Sequence, residues 1–220
     1  MESKPPFFRF PRWTNTIRGP ATIALVAGPI YIVLLLYYGF APRTRDVGYS
    51  PKQPVPYSHA LHAGQLGIDC RYCHNTVEVA ARAAIPPTHT CMNCHASVRT
   101  TSEKLIPVRE SFASGNPVEW VRVHDLPDFV YFNHSAHVRK GVGCVTCHGR
   151  VDKMEEVYQV NTLSMAWCLH CHRNPDKNLR PLDQITSMDW VPSEDPETLG
   201  KRLAQENDVR PQTSCFTCHR

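Results

Sequence analysis

The sequence predicts a mostly helical and irregular protein, with one N-terminal transmembrane helix and a loop-rich domain whose core is formed by bound prosthetic groups. Three observations support this fold class. An uncharged apolar run occupies residues 21–41, the 220 residues include 19 prolines and 11 glycines, and one short cysteine motif recurs five times. Proline and glycine favour loops. A chain of this length that encloses several prosthetic groups has too few residues left for a conventional apolar core.

The N-terminal segment has the composition of a membrane anchor. Residues 21–41 carry no charge, and about 20 such residues span a bilayer as a helix. Residues 1–20 contain Lys4, Arg9, Arg12 and Arg18, and basic residues before a span favour a cytoplasmic N-terminus. We therefore predict a single-pass protein of the inner (cytoplasmic) membrane, with the larger domain on the periplasmic side.

A cleavable signal peptide is the alternative for this segment. Its apolar region would be about 7–15 residues long and would lead into small residues at a cleavage site. The run in this chain is longer and is followed by YYGFAPR, whose aromatic residues suit a membrane interface. An uncleaved anchor at 21–41 is the favoured interpretation.

Further along the chain, the sequence predicts one linker and two helices. Segment 42–58 contains four prolines and is expected to form an extended linker off the membrane. A helix is predicted from Ser102 to Ala113, with Gly115 after its end. A second helix is predicted to run to Glu206, with Asp195 as the N-cap residue and a proline at its first position.

The cysteines indicate which prosthetic group the protein binds. All ten lie in Cys-x-x-Cys-His motifs, the pattern of c-type haem attachment. Two thiols form thioethers with one haem, and the adjacent histidine ligates its iron. The sequence therefore predicts five covalently attached haem c groups. The motifs, numbered 1 to 5 in chain order, are Cys70–Cys73–His74, Cys91–Cys94–His95, Cys144–Cys147–His148, Cys168–Cys171–His172 and Cys215–Cys218–His219.

Other uses of a Cys-x-x-Cys pair explain this pattern less well. A redox dithiol does not need a histidine after its second cysteine. Zinc sites combine two such pairs and would leave one of five unpaired. A disulfide framework would not place every cysteine in the same motif. Because ligation and haem burial would supply the folding energy, the haem-free chain is expected to be largely unfolded.

The remaining histidines can supply the second axial ligand of each haem. Seven of the 12 histidines lie at positions other than the motif histidines. A repeat is visible among them: an aromatic residue, a polar residue and His-x-x-His precede motif 1 and again precede motif 3. A three-residue step on a helix places both imidazoles on one face, toward two different haems. The predicted distal ligands are His59, His62, His124, His134 and His137.

The allocation of these ligands stays open. We expect His59 to serve the first haem and His134 the third, because each precedes the nearest motif. Met165 and His89 are alternative ligands, and a His/Met site would have a higher potential. The repeat also predicts two modules, residues 59–125 with haems 1 and 2, and residues 126–220 with haems 3 to 5.

Two longer strings carry a family resemblance. The repeated His-x-x-His before Cys-x-x-Cys-His is similar to class III cytochromes of the c7 and c3 type. Together with the anchor and five motifs, VRVHDLPDFVYFNHSAH at 121–137 and LSMAWCLHCHRNP at 163–175 resemble the pentahaem cytochrome c subunit of bacterial alternative complex III. The resemblance implies an electron relay in a quinol-oxidising respiratory complex. It implies iron–sulfur and membrane subunits as partners, and a monohaem cytochrome c or terminal oxidase as acceptor.

Two other functions are weighed against this one. A stand-alone, membrane-anchored quinol dehydrogenase feeding periplasmic reductases would share the anchor but have fewer haems. A catalytic multihaem reductase would need an open iron position, whereas this chain has enough histidines to fill every sixth position. We therefore expect no catalytic site in this chain itself. The net charge of +4 includes the basic residues before the anchor, so no nucleic-acid footprint is predicted.

Overall fold

The computed structural model describes residues 10–41, 44 and 46–219. It consists of two compact units, residues 1–45 and 46–220. Residues 1–9 of the predicted cytoplasmic segment and residues 42, 43 and 45 of the predicted linker lie outside the described residues.

The described part of the first unit is one long helix. Helix α1 spans Trp13–Leu35 and continues as a π-helical turn over Leu36–Phe40. Among the described residues it is the one helix long and apolar enough to cross a membrane, and its side chains are exposed. It begins before residue 21, where the predicted span starts. Only the apolar part of a helix has to match the thickness of the bilayer, and the helix itself can extend beyond it. Two prolines lie inside it, which membrane helices tolerate.

The second unit consists of short helices joined by loops. Two isolated backbone bridges occur, Val130 with His219 and Val142 with Leu179, but no strand is present within residues 46–219. This confirms the predicted fold class. The helices are α2 (Cys70–Cys73), α3 (Thr88–His95), α4 (Ile106–Ser114), α5 (His134–Val138), α6 (Cys144–His148), α7 (Met165–Arg173), α8 (Pro196–Glu206) and α9 (Cys215–Cys218). A π-helical turn spans Ala60–Gln65, and 3-10 turns span Glu103–Leu105, Val151–Lys153, Asp176–Asn178 and Leu182–Gln184.

The two predicted helices are confirmed, with small changes at their ends. Helix α4 follows a 3-10 turn and ends before Gly115, whose φ of 76° is the left-handed conformation that glycine adopts most easily. Helix α8 begins at Pro196, and the Asp195 side chain accepts a hydrogen bond from the Thr198 backbone N–H. Its buried face consists of Leu199, Gly200 and Leu203.

The apolar core of the second unit is small. Leu179, Leu199 and Leu203 form a buried cluster against which Val142 and Trp190 pack. No large side chain in the described ranges is less than 2% exposed. The polypeptide alone therefore builds little hydrophobic interior, as expected for a domain that encloses prosthetic groups.

Residues 46–58 of the predicted linker belong to the second unit and contact the rest of it. The Gly48 backbone N–H donates to the Gln159 carbonyl over 2.7 Å. The Gln53 side chain both donates to and accepts from the Val121 backbone, at 2.8 and 2.9 Å. Val55 is only 4% exposed. Residues 46–58 thus form part of the structured domain.

Candidate haem sites

Each Cys-x-x-Cys pair lies on one helical turn. Helices α2, α6 and α9 begin at the first cysteine of motifs 1, 3 and 5, whereas motif 2 ends α3 and motif 4 lies within α7. Residues three apart on a helix share a face, so both thiols of a motif point the same way. Two of these helices have side-chain caps: Asp69 accepts from the Arg71 N–H, and Ser164 accepts from the Trp167 N–H.

Seven imidazoles direct Nδ1 at a backbone carbonyl. Donation of Nδ1–H to a carbonyl fixes the tautomer and ring orientation, and it leaves Nε2 free to bind a metal. The motif histidines that do so are His74 to Ala84 at 2.7 Å, His95 to Val98 at 3.0 Å, His172 to Gln212 at 2.7 Å and His219 to Phe129 at 3.3 Å. The predicted distal histidines that do so are His62 to Ser58 at 2.8 Å, His134 to Ala81 at 2.9 Å and His137 to Asn133 at 2.7 Å.

The His-x-x-His repeat in the sequence is also a repeat in the structure. The Tyr57 ring lies edge-on to His59 at 4.7 Å and stacks on His62 at 4.4 Å between ring centroids. Likewise, the Phe132 ring lies edge-on to His134 at 4.7 Å and stacks on His137 at 4.5 Å. One aromatic side chain therefore positions two imidazoles in each copy.

Three predicted distal histidines face motif histidines across a gap of the same width. The ring centroids are 6.2 Å apart for His62 and His95, 6.3 Å for His134 and His148, and 5.9 Å for His137 and His172. Imidazoles on opposite sides of one metal ion, each with a nitrogen about 2 Å from it, have ring centroids about 6 Å apart. This spacing is compatible with each pair holding one metal ion between its two rings.

His59 lies beside the histidine of motif 1. Burial, together with the neighbouring His74 and His62, lowers the pKa of His59 to about 4. The Nδ1 atom of His59 is buried and has no hydrogen-bond partner among the described residues. A buried polar nitrogen without a partner is costly, which is consistent with a site completed by a bound group.

His124 lies at motif 3 and not at motif 5. Its ring centroid is 4.4 Å from that of His148, at an interplanar angle of 80°, which is too close for two ligands on opposite sides of one iron. Its Nε2 atom is buried without a hydrogen-bond partner within the described chain. The ring nearest to His219 is that of Phe129, at 5.8 Å. No ring contact pairs His219 with another histidine among the described residues.

The alternative ligands, His89 and Met165, are exposed and are not among the pairs with this spacing. His89 is exposed and lies edge-on to Phe112 at 4.9 Å between centroids. Met165, the first residue of α7, is 66% exposed. His170 is also exposed.

Burial favours the neutral form of His59, His124, His137 and His148. It lowers the pKa of His148 to about 3, with neighbouring histidines adding to the shift. It also lowers the pKa of His124 and of His137. The neutral imidazole is the form that ligates a metal, so these side chains are ready for ligation across the physiological pH range.

The donor set fits haem c better than a bare metal ion. All ten motif cysteines are free thiols. Within the described ranges, no group of three or more His, Cys, Asp or Glu side chains is arranged to hold one ion. Paired thiols on one turn, with a metal-ready imidazole next to them, fit a macrocycle attached through two thioethers.

Comparison with known proteins agrees with this chemistry. Residues 130–220, which include motifs 3 to 5, match the family model described as cytochrome c7 and related cytochrome c. The chain is similar to multihaem cytochromes c. Over 171 residues it is 28% identical to the menaquinone reductase, multiheme cytochrome c subunit, of Nitratidesulfovibrio vulgaris (strain Hildenborough), covering 67% of this chain and 81% of that protein. The predicted c7-type resemblance is therefore confirmed for the C-terminal part of the chain, and covalent haem c is the cofactor that this similarity implies.

One feature of the sites has no signal in the sequence. The carbonyls of Ala84, Ala81 and Gln212 orient histidines that are 10, 53 and 40 residues away. Neither an alanine nor a glutamine in a loop marks such a role. Only the folded chain brings these partners together.

Proposed function

We propose that the chain is a membrane-anchored pentahaem cytochrome c that relays electrons within a quinol-oxidising respiratory complex of the alternative complex III type. Electrons would enter from iron–sulfur clusters of a neighbouring subunit and leave toward a cytochrome c or terminal oxidase. The observation that carries this proposal is the set of three histidine pairs with centroids about 6 Å apart, the spacing expected for ligands of one metal ion. Each pair combines a motif histidine with a predicted distal one.

Three of the proposed ligand pairs follow from this geometry, and the fourth follows from the proximity of His59 to His74. Site 1 would be held by His74 and His59, site 2 by His95 and His62, site 3 by His148 and His134, and site 4 by His172 and His137. At site 5 the chain supplies His219. His124, with its buried Nε2, remains a ligand candidate, but its position beside His148 associates it with site 3.

When bound, haem c supplies reversible one-electron chemistry. The polypeptide contributes the orientation of the imidazoles, through the carbonyls and through the rings of Tyr57 and Phe132. It also sets ligand type and burial, and these determine the potential of each site. The attached helix α1 would keep the relay at the membrane surface, where quinol is oxidised. The basic residues before the helix favour a periplasmic haem domain.

The similarity to a menaquinone reductase subunit supports a quinol-linked role. It is equally compatible with the second candidate, a stand-alone quinol dehydrogenase, because both functions exchange electrons with the quinone pool. The two candidates differ in whether iron–sulfur and membrane subunits accompany the chain.

Purification of the protein from native membranes in mild detergent tests the proposal. We expect it to co-purify with an iron–sulfur subunit and with polytopic membrane subunits, and we expect added quinol to reduce its haems only in that assembly. A chain that is isolated alone, and whose haems are still reduced by quinol, would support the stand-alone dehydrogenase instead.

A further inference from the structure

The five motif sites form one continuous series in space, and their order differs from their order in the sequence. We infer that electrons pass along the sites in the order 2–1–3–4–5, so that sites 2 and 5 are the two ends of the relay. This inference rests on the proposed function. It adds the route and the terminal sites, which neither motif spacing nor family similarity provides.

Sites 1 and 2 are neighbours. His59 and His62 belong to one turn, and they lie beside His74 of site 1 and His95 of site 2. The two motifs also touch directly, because the Asn93 amide donates to the Tyr72 hydroxyl over 3.1 Å.

Site 1 is also a neighbour of site 3. Asp69, the cap of α2, accepts a hydrogen bond of 2.7 Å from the Thr186 hydroxyl. The preceding residue, Ile185, accepts a hydrogen bond of 3.1 Å from the Cys144 backbone N–H at the start of α6. In addition, the thiols of Cys70 and Cys144 lie close enough to influence each other. The first cysteine of motif 1 therefore meets the first cysteine of motif 3, and this connection bypasses site 2.

Helix α5 joins sites 3 and 4. It carries His134, which faces His148 of site 3 at 6.3 Å, and His137, which faces His172 of site 4 at 5.9 Å. Two ligands on a single helical turn require their haems to be adjacent.

Sites 4 and 5 are joined through the C-terminal loop. His172 Nδ1 donates to the Gln212 carbonyl over 2.7 Å, and Gln212 precedes Cys215 by one short loop. Cys168 and Cys218 are close enough to interact electrostatically.

Site 2 has neighbours on one side. Its motif contacts Tyr72 and His62, which belong to the site 1 region. Within the part of the chain that the structure describes, no hydrogen bond or ring contact joins residues 91–95 to motif 3, 4 or 5. Site 2 is therefore an end of the series, although it is second in the sequence.

Each transfer along this route moves one electron. The donating site is oxidised from ferrous to ferric as its neighbour is reduced from ferric to ferrous, and no bond forms or breaks. A reduced iron–sulfur cluster supplies the electron at one end, and a one-electron acceptor removes it at the other. Because transfer rates fall steeply with distance, adjacency determines the route.

NMR of the fully reduced holoprotein in detergent micelles tests the order. Reduced low-spin haems are diamagnetic, so nuclear Overhauser effects between substituents of different haems report which haems are adjacent. His62→Met and His134→Met tag sites 2 and 3, because an axial methionine methyl gives a shifted signal. We expect contacts between sites 1 and 2, 1 and 3, 3 and 4, and 4 and 5, and none between 2 and 3. A contact between sites 2 and 3, or the absence of one between 1 and 3, would overturn the order.

A redox titration of two matched variants gives an independent readout. In His62→Met, the midpoint potential of site 2 should rise. Through charge interaction, the midpoint potential of site 1 alone should change with it. In His59→Met, the altered site is internal, so both site 2 and site 3 should respond. Equal responses of site 3 in the two variants would contradict the order. Haem content measured on the same samples tests the proposed function separately, since five haems in a different order would refute only the route.

Discussion

At the residue scale, His62, His134 and His137 are each held by two kinds of contact. A backbone carbonyl fixes the tautomer through Nδ1, and an aromatic ring fixes the plane. Tyr57 and Phe132 each touch two histidines within 4.4–4.7 Å, so one ring serves two sites. The loss of one ring should therefore disturb two neighbouring haems and leave the others unchanged.

Phe132→Ala tests this shared positioning. Aromatic pairs contribute about 1 kcal/mol beyond burial, so we expect a modest loss of stability. We also expect broadened low-spin EPR signals from sites 3 and 4 only. Tyr57→Ala is the matched variant and should affect sites 1 and 2, whereas Tyr57→Phe keeps the ring and should affect none. Uniform broadening of all signals in Phe132→Ala would argue against local positioning.

His62→Ala tests the assignment of a distal ligand. Removing this imidazole should convert site 2 to a high-spin form, visible in the oxidised EPR spectrum, because no other described histidine ring faces His95 at the required spacing. His89→Ala is the control, since His89 is exposed and contacts Phe112. A high-spin signal in His89→Ala, with none in His62→Ala, would show that His89 and not His62 is the distal ligand of site 2.

At the scale of the elements, the motif helices depend on close approach of other segments. Gly143 precedes α6, and a Cβ atom at this position would lie 2.3 Å from the Nε atom of Arg180. Arg180 is 8% exposed, lies against Trp190 and donates to the carbonyls of Gln184 and Ser187. Arg180 therefore packs directly against the start of α6.

Gly143→Ala should disrupt this packing. Overpacking costs about 1–3 kcal/mol. Because the clash lies next to Cys144, where haem would attach, we expect lower stability and less haem per chain. The measurements are denaturant unfolding and haem quantification. The effect should shrink in an Arg180→Ala background, because contacting residues are coupled. Additive effects would show that the steric account is wrong.

The cap of α2 gives a pH-dependent prediction. Hydrogen bonding to Arg71 lowers the pKa of Asp69 to about 2, against about 3.9 in an unfolded chain. The ionised carboxylate thus stabilises the fold above about pH 4, and this contribution is lost as the pH falls toward 2. Asp69→Asn should be less stable than wild type at pH 7, and the difference should disappear near pH 2. A difference that is constant from pH 7 to pH 2 would exclude the carboxylate charge as its cause.

At the scale of the whole molecule, the sequence predicted the composition of the haem domain better than its arrangement. The motif spacing predicted the attachment turns, and the capping residue and proline at 195–196 predicted α8. Local signals were sufficient for these features, because each depends on residues close together in the chain. The role of His62, His134 and His137 as distal ligands stays a prediction, with each ring about 6 Å from that of a motif histidine.

The remaining features depend on contacts between distant segments. His124 was predicted as a fifth distal ligand from its position before the second His-x-x-His, but the fold places it against His148. The contact between motifs 1 and 3 arises through residues 185–186, more than 100 positions after Asp69. No periodicity or spacing could indicate either contact.

The most direct test of the central claim is a low-temperature EPR spectrum of the oxidised holoprotein in mild detergent, with haem quantified on the same sample. The account predicts five haems per chain, and low-spin signals from four sites with two histidine ligands each. It also predicts that a high-spin signal comes from no more than one haem, that of site 5, for which the chain supplies His219. Fewer than five haems, or a ligand-sensitive high-spin signal equivalent to more than one haem, would contradict the proposed ligand pairs and indicate a site open for catalysis.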